Sequence, residues 1–297
     1  MGGILLVDKP GGITSHDVVA RARRALGTRK IGHAGTLDPM ATGLLVLGVD
    51  SATRLLTFLV GLDKTYAATI RLGVATDSDD ADGEITSRAD AAHLAAAQIA
   101  AAIAPLTGRI SQVPSRVSAI KVGGRRAYDL ARAGEHVELA AREVTVSRFE
   151  VRGERATRVD GIDVIDLDVE VDCSSGTYIR ALARDLGAAL EVGGHLTALR
   201  RTRIGPFEVD GAVAVDDIAA AALADPAEVA AAVLGRFDVT ADEARDLRHG
   251  KRLSGAARRL PARPAAAIDP QGRLVGVVDT RGDDVKSTMN MPEEGDA

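Results

Sequence analysis

The chain has 297 residues, of which 46% are hydrophobic and 2% aromatic, with no Trp and a formal net charge of −5. That is enough sequence for one large domain and a small one around an aliphatic core, and the acidic balance excludes a protein that coats nucleic acid indiscriminately while leaving room for one folded RNA on a local basic patch. The single cysteine, Cys173, excludes an internal disulfide, the six scattered histidines offer no zinc spacing, and no apolar run has membrane-spanning length.

Residues 3–7 (Gly-Ile-Leu-Leu-Val) read as a buried strand, too short to serve as a signal peptide, so a reducing, cytoplasmic location is expected. Lys9-Pro10-Gly11-Gly12 reads as a turn. Ser15 is placed to cap a helix whose Val18, Val19, Ala22 and Leu26 share a face, with Gly27 just past its end. A loop through residues 32–43 leads into a strand at Leu44–Val49. Ser51 is expected to cap a short helix running to Val60. A strand follows at Lys64–Val74, then a loop rich in acids (Asp77, Asp79, Asp80, Asp82, Glu84), then an Ala-rich helix over 89–107.

The middle of the chain alternates. Val144, Val146, Phe149 and Val151 are interleaved with polar residues. Val164, Ile165, Leu167, Val169 and Val171 form a second half-buried strand, with a slip expected near Val164. Thr177–Leu186 reads as a helix with Ile179, Leu182, Ala183 and Leu186 inward and Arg180 and Arg184, four apart, together on another face. Strands and helices do not alternate regularly, so the fold class is α+β with a mostly antiparallel sheet. Residues 216–234 read as a connecting helical region. Beyond Phe237, Thr240 and Glu243 have capping-box spacing, and Asp269-Pro270-Gln271-Gly272 reads as a turn between two short strands. This last unit resembles a reduced PUA-like RNA-binding domain.

The run Gly32-His33-Ala34-Gly35-Thr36-Leu37-Asp38-Pro39-Met40-Ala41-Thr42-Gly43 carries one carboxylate, Asp38, in a loop otherwise free of carboxyl and amine groups. Pro39 biases Asp38 toward an extended backbone. Two readings stand side by side: Asp-Pro opening a turn, or an aspartate held in one place as a nucleophile or base. Basic clusters flank the candidate residues, at Arg21, Arg23, Arg24, Arg29 and Lys30 and again at Arg200, Arg201 and Arg203. Each is either a solvated face or part of an RNA surface.

The run resembles the signature of the TruB-type tRNA pseudouridine synthases, whose motif aspartate attacks the target uridine. Four further segments extend the resemblance: Lys9–Asp17, Lys64-Thr65-Tyr66, Gly176-Thr177-Tyr178-Ile179-Arg180 and His195–Gly205. Gln112–Lys121 matches a fifth but departs from it, with Val117 where an aromatic is usual. The resemblance implies that Asp38, Tyr66 and Arg180 are catalytic: Asp38 as nucleophile, Tyr66 stacked on the target base, Arg180 paired with the aspartate. It implies Lys9, His33, Tyr178, Leu199, Arg200 and Arg203 on the uridine and RNA side, with Lys9 and Pro10 supporting the site. His33 either fills the space of a flipped base or packs in its loop. The implied domains are a catalytic domain at 1–235, a small PUA-like domain at 236–283 and a disordered tail at 284–297. The implied partner is the T stem-loop of tRNA, with uridine 55 as target and no obligate protein partner.

The chemistry agrees with the absence of a phosphate-binding GxxxxGK[ST] loop. Breaking the N1–C1′ bond, turning the uracil and rejoining it through C5 needs no cofactor and no metal. Flipping the base costs a few kcal/mol, of which a stack on Tyr66 returns about 1–3 kcal/mol. Two other classes compete. A non-catalytic RNA-folding protein would tolerate loss of Asp38. A glycosidase-like hydrolase needs a second carboxylate that the motif lacks. Within the enzyme class, ribosomal RNA is the nearest alternative substrate.

Overall fold

A computed structural model describes residues 2–115, 121–122, 125–126 and 139–293. Val117 and Tyr128 lie outside the described residues. In chain order the strands are β1 (Ile4–Lys9), β2 (Ile31–Ala34), β3 (Thr42–Val49), β4 (Lys64–Leu72), β5 (Val74–Thr76), β6 (Ile85–Arg88), β7 (Gly108–Gln112), β8 (Lys121–Val122), β9 (Arg125–Arg126), β10 (Arg142–Val159), β11 (Ile162–Cys173), β12 (Gly194–Ile204), β13 (Phe207–Glu208), β14 (Val213–Ala214), β15 (Arg236–Asp238), β16 (Ala265–Ile268), β17 (Leu274–Arg281) and β18 (Asp284–Asn290). The helices are α1 (Ser15–Leu26), α2 (Leu56–Leu59), α3 (Ala96–Ile103), α4 (Ile179–Ala189), α5 (Pro226–Leu234) and α6 (Ala241–Arg248). The chain is α+β and divides into two compact units.

The first unit gathers residues 1–39, 43–61 and 204–297. Here β1 runs antiparallel to β3 and parallel to β14, while β2 runs antiparallel to the far end of β3. Helix α1 lays Val18, Val19 and Ala22 on this sheet, against Leu5, Val7, Leu45 and Leu47. Its cap differs from the expected one. Thr14 accepts from the Asp17 amide, and Asp17 accepts in return from the Thr14 amide, a closed capping box worth about 1 kcal/mol. Ser15 is the first helical residue, and its hydroxyl is spent elsewhere. Gly27 ends the helix at φ 66°. Ser51 caps nothing: Asp50 takes φ 51° and opens a 3-10 turn, Asp50–Leu55, which runs into α2.

The same unit holds the C-terminal sheet β15-β16-β17-β18. Phe237, Leu247, Ala265, Val275 and Val285 share its core with Leu253 and Val278. The capping box Thr240–Glu243 and the turn closed by Gly272 form as their spacing predicts. Residues 284–290, expected as part of a disordered tail, form β18. Their polar composition hides a single fully buried anchor, Val285, whose backbone exchanges hydrogen bonds with Leu253, and the strand pairs with β17 along its length.

The second unit comprises residues 40–42 and 62–203, with strand order β12-β4-β11-β10-β7. β11 alternates cleanly. Leu167, Val169, Val171 and Cys173 are buried on one face, and Asp166, Asp168, Glu170 and Asp172 line the other. Those acids meet arginines on neighbouring strands: Arg71 on Asp166, Arg155 on Asp168, Arg148 on Glu170 and Asp172. The slip expected near Val164 lies instead in β10, where Ser147 and Arg152 are extra residues against β11. Val164 and Ile165 are both buried because the 89–94 segment covers this end, with the Ala91 amide donating to the Asp163 carbonyl. That segment also shortens the expected Ala-rich helix, which starts only at Ala96 and tightens to 3-10 at Pro105.

Candidate active site

Asp38 sits half-buried in the loop between β2 and β3, and the turn between β1 and α1 holds the residues on both sides of it. On the N-terminal side, the Ser15 hydroxyl accepts from the Leu37 amide at 2.9 Å and donates to the Leu37 carbonyl at 3.1 Å. On the C-terminal side, the Pro39 carbonyl accepts from the Gly12 amide at 2.9 Å and from Lys9 Nζ at 3.2 Å. Lys9 is fully buried and also donates to the carbonyls of Ile13, at 2.7 Å, and Pro10, at 2.9 Å. Three carbonyls thus receive the three protons of one ammonium. Lys9, which the resemblance puts on the uridine side, braces the Asp38 loop from within. His33, on β2, meets the exposed His16 ring of α1 edge-on, with centroids 5.5 Å apart.

The other sequence-predicted residues belong to the second unit. Arg180 opens α4 and is only 3% exposed. It donates to the Ser78 carbonyl at 2.9 Å and pairs with the Asp80 carboxylate at 3.4 Å. One turn later Arg184 pairs with Asp79 at 3.3 Å and donates to the Val113 carbonyl at 2.7 Å. The face of α4 that carries both arginines therefore packs against the acidic loop. Asp79 and Asp80 are buried, and Asp79 takes φ 62°. Burial pushes the Asp79 carboxyl above its usual range, while Arg184 and Arg180 pull the other way. Asp80 was missed from sequence. The signal available was complementarity: two arginines one turn apart, and a chain of aspartates with none of the lysines that lace a solvated loop.

Tyr178 precedes α4 in extended geometry and is gripped by the side chain of Gln112 at the end of β7. The Gln112 carbonyl oxygen accepts from the Tyr178 amide at 2.8 Å, and its NH₂ group donates to the Tyr178 carbonyl at 3.1 Å. Tyr66 is buried on β4, in register with Val171 of β11. Beside it, burial pushes the Lys64 ammonium down to about 8, helped by the neighbouring charge of Arg201, and burial raises the Cys173 thiol to about 11. On β12, Leu199 is buried and Arg200 reaches the Thr42 hydroxyl at 3.5 Å. Arg203, expected on the RNA side, donates through Nε to the Thr65 hydroxyl at 2.9 Å and faces Asp172 at 3.6 Å. Asp172 already holds Arg148, so Arg203 completes a charge cluster within the unit.

Lys9, His33 and Asp38 thus lie in the first unit, and Tyr66, Tyr178, Arg180, Leu199, Arg200 and Arg203 in the second. Among the described residues no group of His, Cys, Asp and Glu could hold a metal ion, and no helix is long and apolar enough to cross a membrane.

Comparison with known proteins gives three consecutive family matches. Residues 23–179 match the N-terminal domain of the TruB family of pseudouridylate synthases, residues 180–237 a tRNA pseudouridylate synthase B C-terminal domain, and residues 234–292 the C-terminal part of tRNA pseudouridine synthase II. A tRNA pseudouridine synthase B of Leifsonia xyli subsp. xyli is 57% identical over 98% of this chain and 97% of its own length. Another, from Nocardia farcinica, is 56% identical over 95% and 90%. Among solved structures, a Cbf5-Nop10-Gar1 complex aligns at TM-score 0.68 and 25% identity, covering 98% of this chain and 85% of the other. An H/ACA RNP bound to a substrate RNA containing 2′-deoxyuridine aligns at TM-score 0.69 and 24% identity, with the same coverage. The fold is shared with both.

Proposed function

Because this chain belongs to the TruB family of pseudouridylate synthases, we propose that it is a tRNA pseudouridine synthase that isomerises uridine 55 of the T loop. The observation that carries this reading is the brace around Asp38. A carboxylate whose neighbours Leu37 and Pro39 are both bound to the Lys9–Ser15 segment is held in one place, as a nucleophile requires.

The reaction breaks the N1–C1′ bond and forms a C5–C1′ bond. The C5 proton is lost and N1 gains one, so the uracil is retained with no net change in oxidation state. Asp38 serves as the nucleophile that carries the fragment between the two bonds. Arg180 orients its carboxylate, and Tyr66 stacks on the flipped base. His33, Tyr178, Leu199 and Arg200 line the uridine and RNA side. The small C-terminal sheet belongs to the RNA-binding surface, and the protein acts in the cytoplasm without a cofactor or an obligate protein partner.

The test is to incubate pure protein with a T stem-loop RNA and map pseudouridine, with no cofactor added. Pseudouridine at the position equivalent to 55 is expected with wild type. Asp38→Asn, which keeps the size and loses the nucleophile, is expected to give none while binding the RNA as tightly. Unmodified uridine throughout with folded wild-type protein would reject the reading. Turnover by Asp38→Asn within tenfold of wild type would reject Asp38 as the nucleophile.

A further inference from the structure

The Ser15 hydroxyl has no part in starting its own helix. The cap of α1 is complete without it, because Thr14 and Asp17 satisfy each other's amides. Serine at the first helical turn is ordinarily explained by capping, and that explanation is taken. The hydroxyl instead spans 22 residues to the Leu37 peptide, where it accepts from the amide at 2.9 Å and donates to the carbonyl at 3.1 Å. Ser15 and Leu37 are both almost fully buried. One oxygen therefore closes both polar groups of the residue immediately before Asp38, in a place water does not reach.

We infer that Ser15 is a positioning residue for Asp38, fixing the backbone from which the nucleophilic carboxylate projects. The inference rests on the reading of Asp38 as nucleophile. Lys9 and Gly12 fix the Pro39 carbonyl on the other side, so Asp38 hangs between two anchored peptide groups. The Ser15 bonds go to the Leu37 peptide, so this anchor acts on where the carboxylate stands. Loss of the Ser15 anchor frees the Leu37 peptide to rotate, and displacement of a reacting group by about 1 Å is enough to cost roughly 10²-fold in rate. Because the RNA is gripped by a surface much larger than this loop, the effect falls on turnover and leaves binding alone.

The test compares wild type, Ser15→Ala, Ser15→Thr and Thr14→Ala in single-turnover pseudouridine formation, RNA binding and thermal melting. Ser15→Ala is expected to lower the single-turnover rate by roughly 10- to 100-fold with RNA affinity within twofold of wild type. Ser15→Thr, which keeps the hydroxyl, is expected to recover most of the rate. Thr14→Ala removes the cap and is expected to lower the melting temperature without lowering the rate. Hydrogen exchange at the Leu37 amide reads the clip without any activity: faster exchange in Ser15→Ala, with Val18 and Val19 unchanged, is the expected result. A Ser15→Ala rate within twofold of wild type, or unchanged exchange at Leu37, overturns the inference. So does a rate loss matched by Thr14→Ala at equal loss of stability, since the role would then be structural only. Absence of pseudouridine with wild type would reject the underlying function, a different outcome from an active wild type with an equally active Ser15→Ala.

Discussion

Asp80 shows how much one side chain decides. Its carboxylate, with a hydrogen bond from the Ser78 hydroxyl and another from the Asp82 amide at 3.1 Å, is the fixed point on which Arg180 rests. Both members of the pair are buried, with side chains 4% and 7% exposed. Removing one partner from a buried pair strands the other's charge, at roughly 3–5 kcal/mol. Asp80→Asn keeps the size and some of the hydrogen bonds, so a loss near the lower end of that range is expected in urea denaturation. On the catalytic role proposed for Arg180, a lower single-turnover rate should accompany it. Equal stability and rate in the variant would show that the Asp80 charge is not needed to hold Arg180. Arg203 makes the complementary point. Its place in a basic cluster invites an RNA role, and only the fold makes visible that its guanidinium also meets Thr65 and Asp172.

At the scale of elements, the junctions carry more than the strands. Gln112 ends β7 and its side-chain amide grips the Tyr178 peptide that begins α4. The α4 N-terminus, and Arg180 two residues later, is thereby tied to β7. Gln112→Leu fills the space and removes both bonds. The Tyr178 carbonyl keeps the Leu182 amide of α4, so the loss falls mainly on the Tyr178 amide. A peptide group that loses its partner costs roughly 1–3 kcal/mol, and the lower figure applies because Tyr178 is half-buried. Gln112→Glu keeps the acceptor for the Tyr178 amide and loses the donor. Urea denaturation is expected to rank wild type above Gln112→Glu and Gln112→Glu above Gln112→Leu. Hydrogen exchange at the Tyr178 amide should rise only in the last. If both variants match wild type in both measurements, the grip contributes nothing.

Across the whole molecule, the carboxylates impose an acid limit. A hydrogen bond from Arg155 holds the Asp168 carboxyl below its usual range. For Asp172, burial alone would raise the carboxyl, but bonds from Thr65 and Arg148 outweigh it and hold it down. Arg259 does the same for Glu243 in the C-terminal sheet. A carboxyl lower in the folded state than in the unfolded chain stabilises the fold above the unfolded value, near 4, and loses that contribution as pH falls through its folded value. Asp79 works with the opposite sign. Raised by burial, it favours the fold when protonated, and that contribution is lost as pH rises through its folded value. Burial also holds the His195 imidazole below its usual range, so the fold loses stability as pH falls through the ordinary histidine value near 6.5. The lowered groups outnumber Asp79, so the urea midpoint is expected to drift down between pH 7 and about 5 and to fall steeply below about pH 4. A midpoint that rose on acidification would show that Asp79 dominates. Since the Asp168 and Glu243 pairs are partly exposed, 1 M salt should weaken their share.

What the sequence by itself determined is local. The stop at Gly27, the capping box of Thr240 and Glu243, and the turn at Gly272 depend on residues within a few positions of one another, and backbone sterics and short hydrogen bonds settle them. The family resemblance also rests on short runs. What only the tertiary structure decided is which polar groups meet once the sheets close. Ser15 finds Leu37 across 22 residues, Gln112 finds Tyr178 across 66, and Arg180 finds Ser78 across 102. The same closure buries Lys9, buries Asp79 and Asp80 of the acidic loop, and turns a polar tail into β18 around Val285. A buried polar group must find a partner, and composition names the candidates. The partner is chosen by which strands lie side by side, and no window of a few residues contains that information.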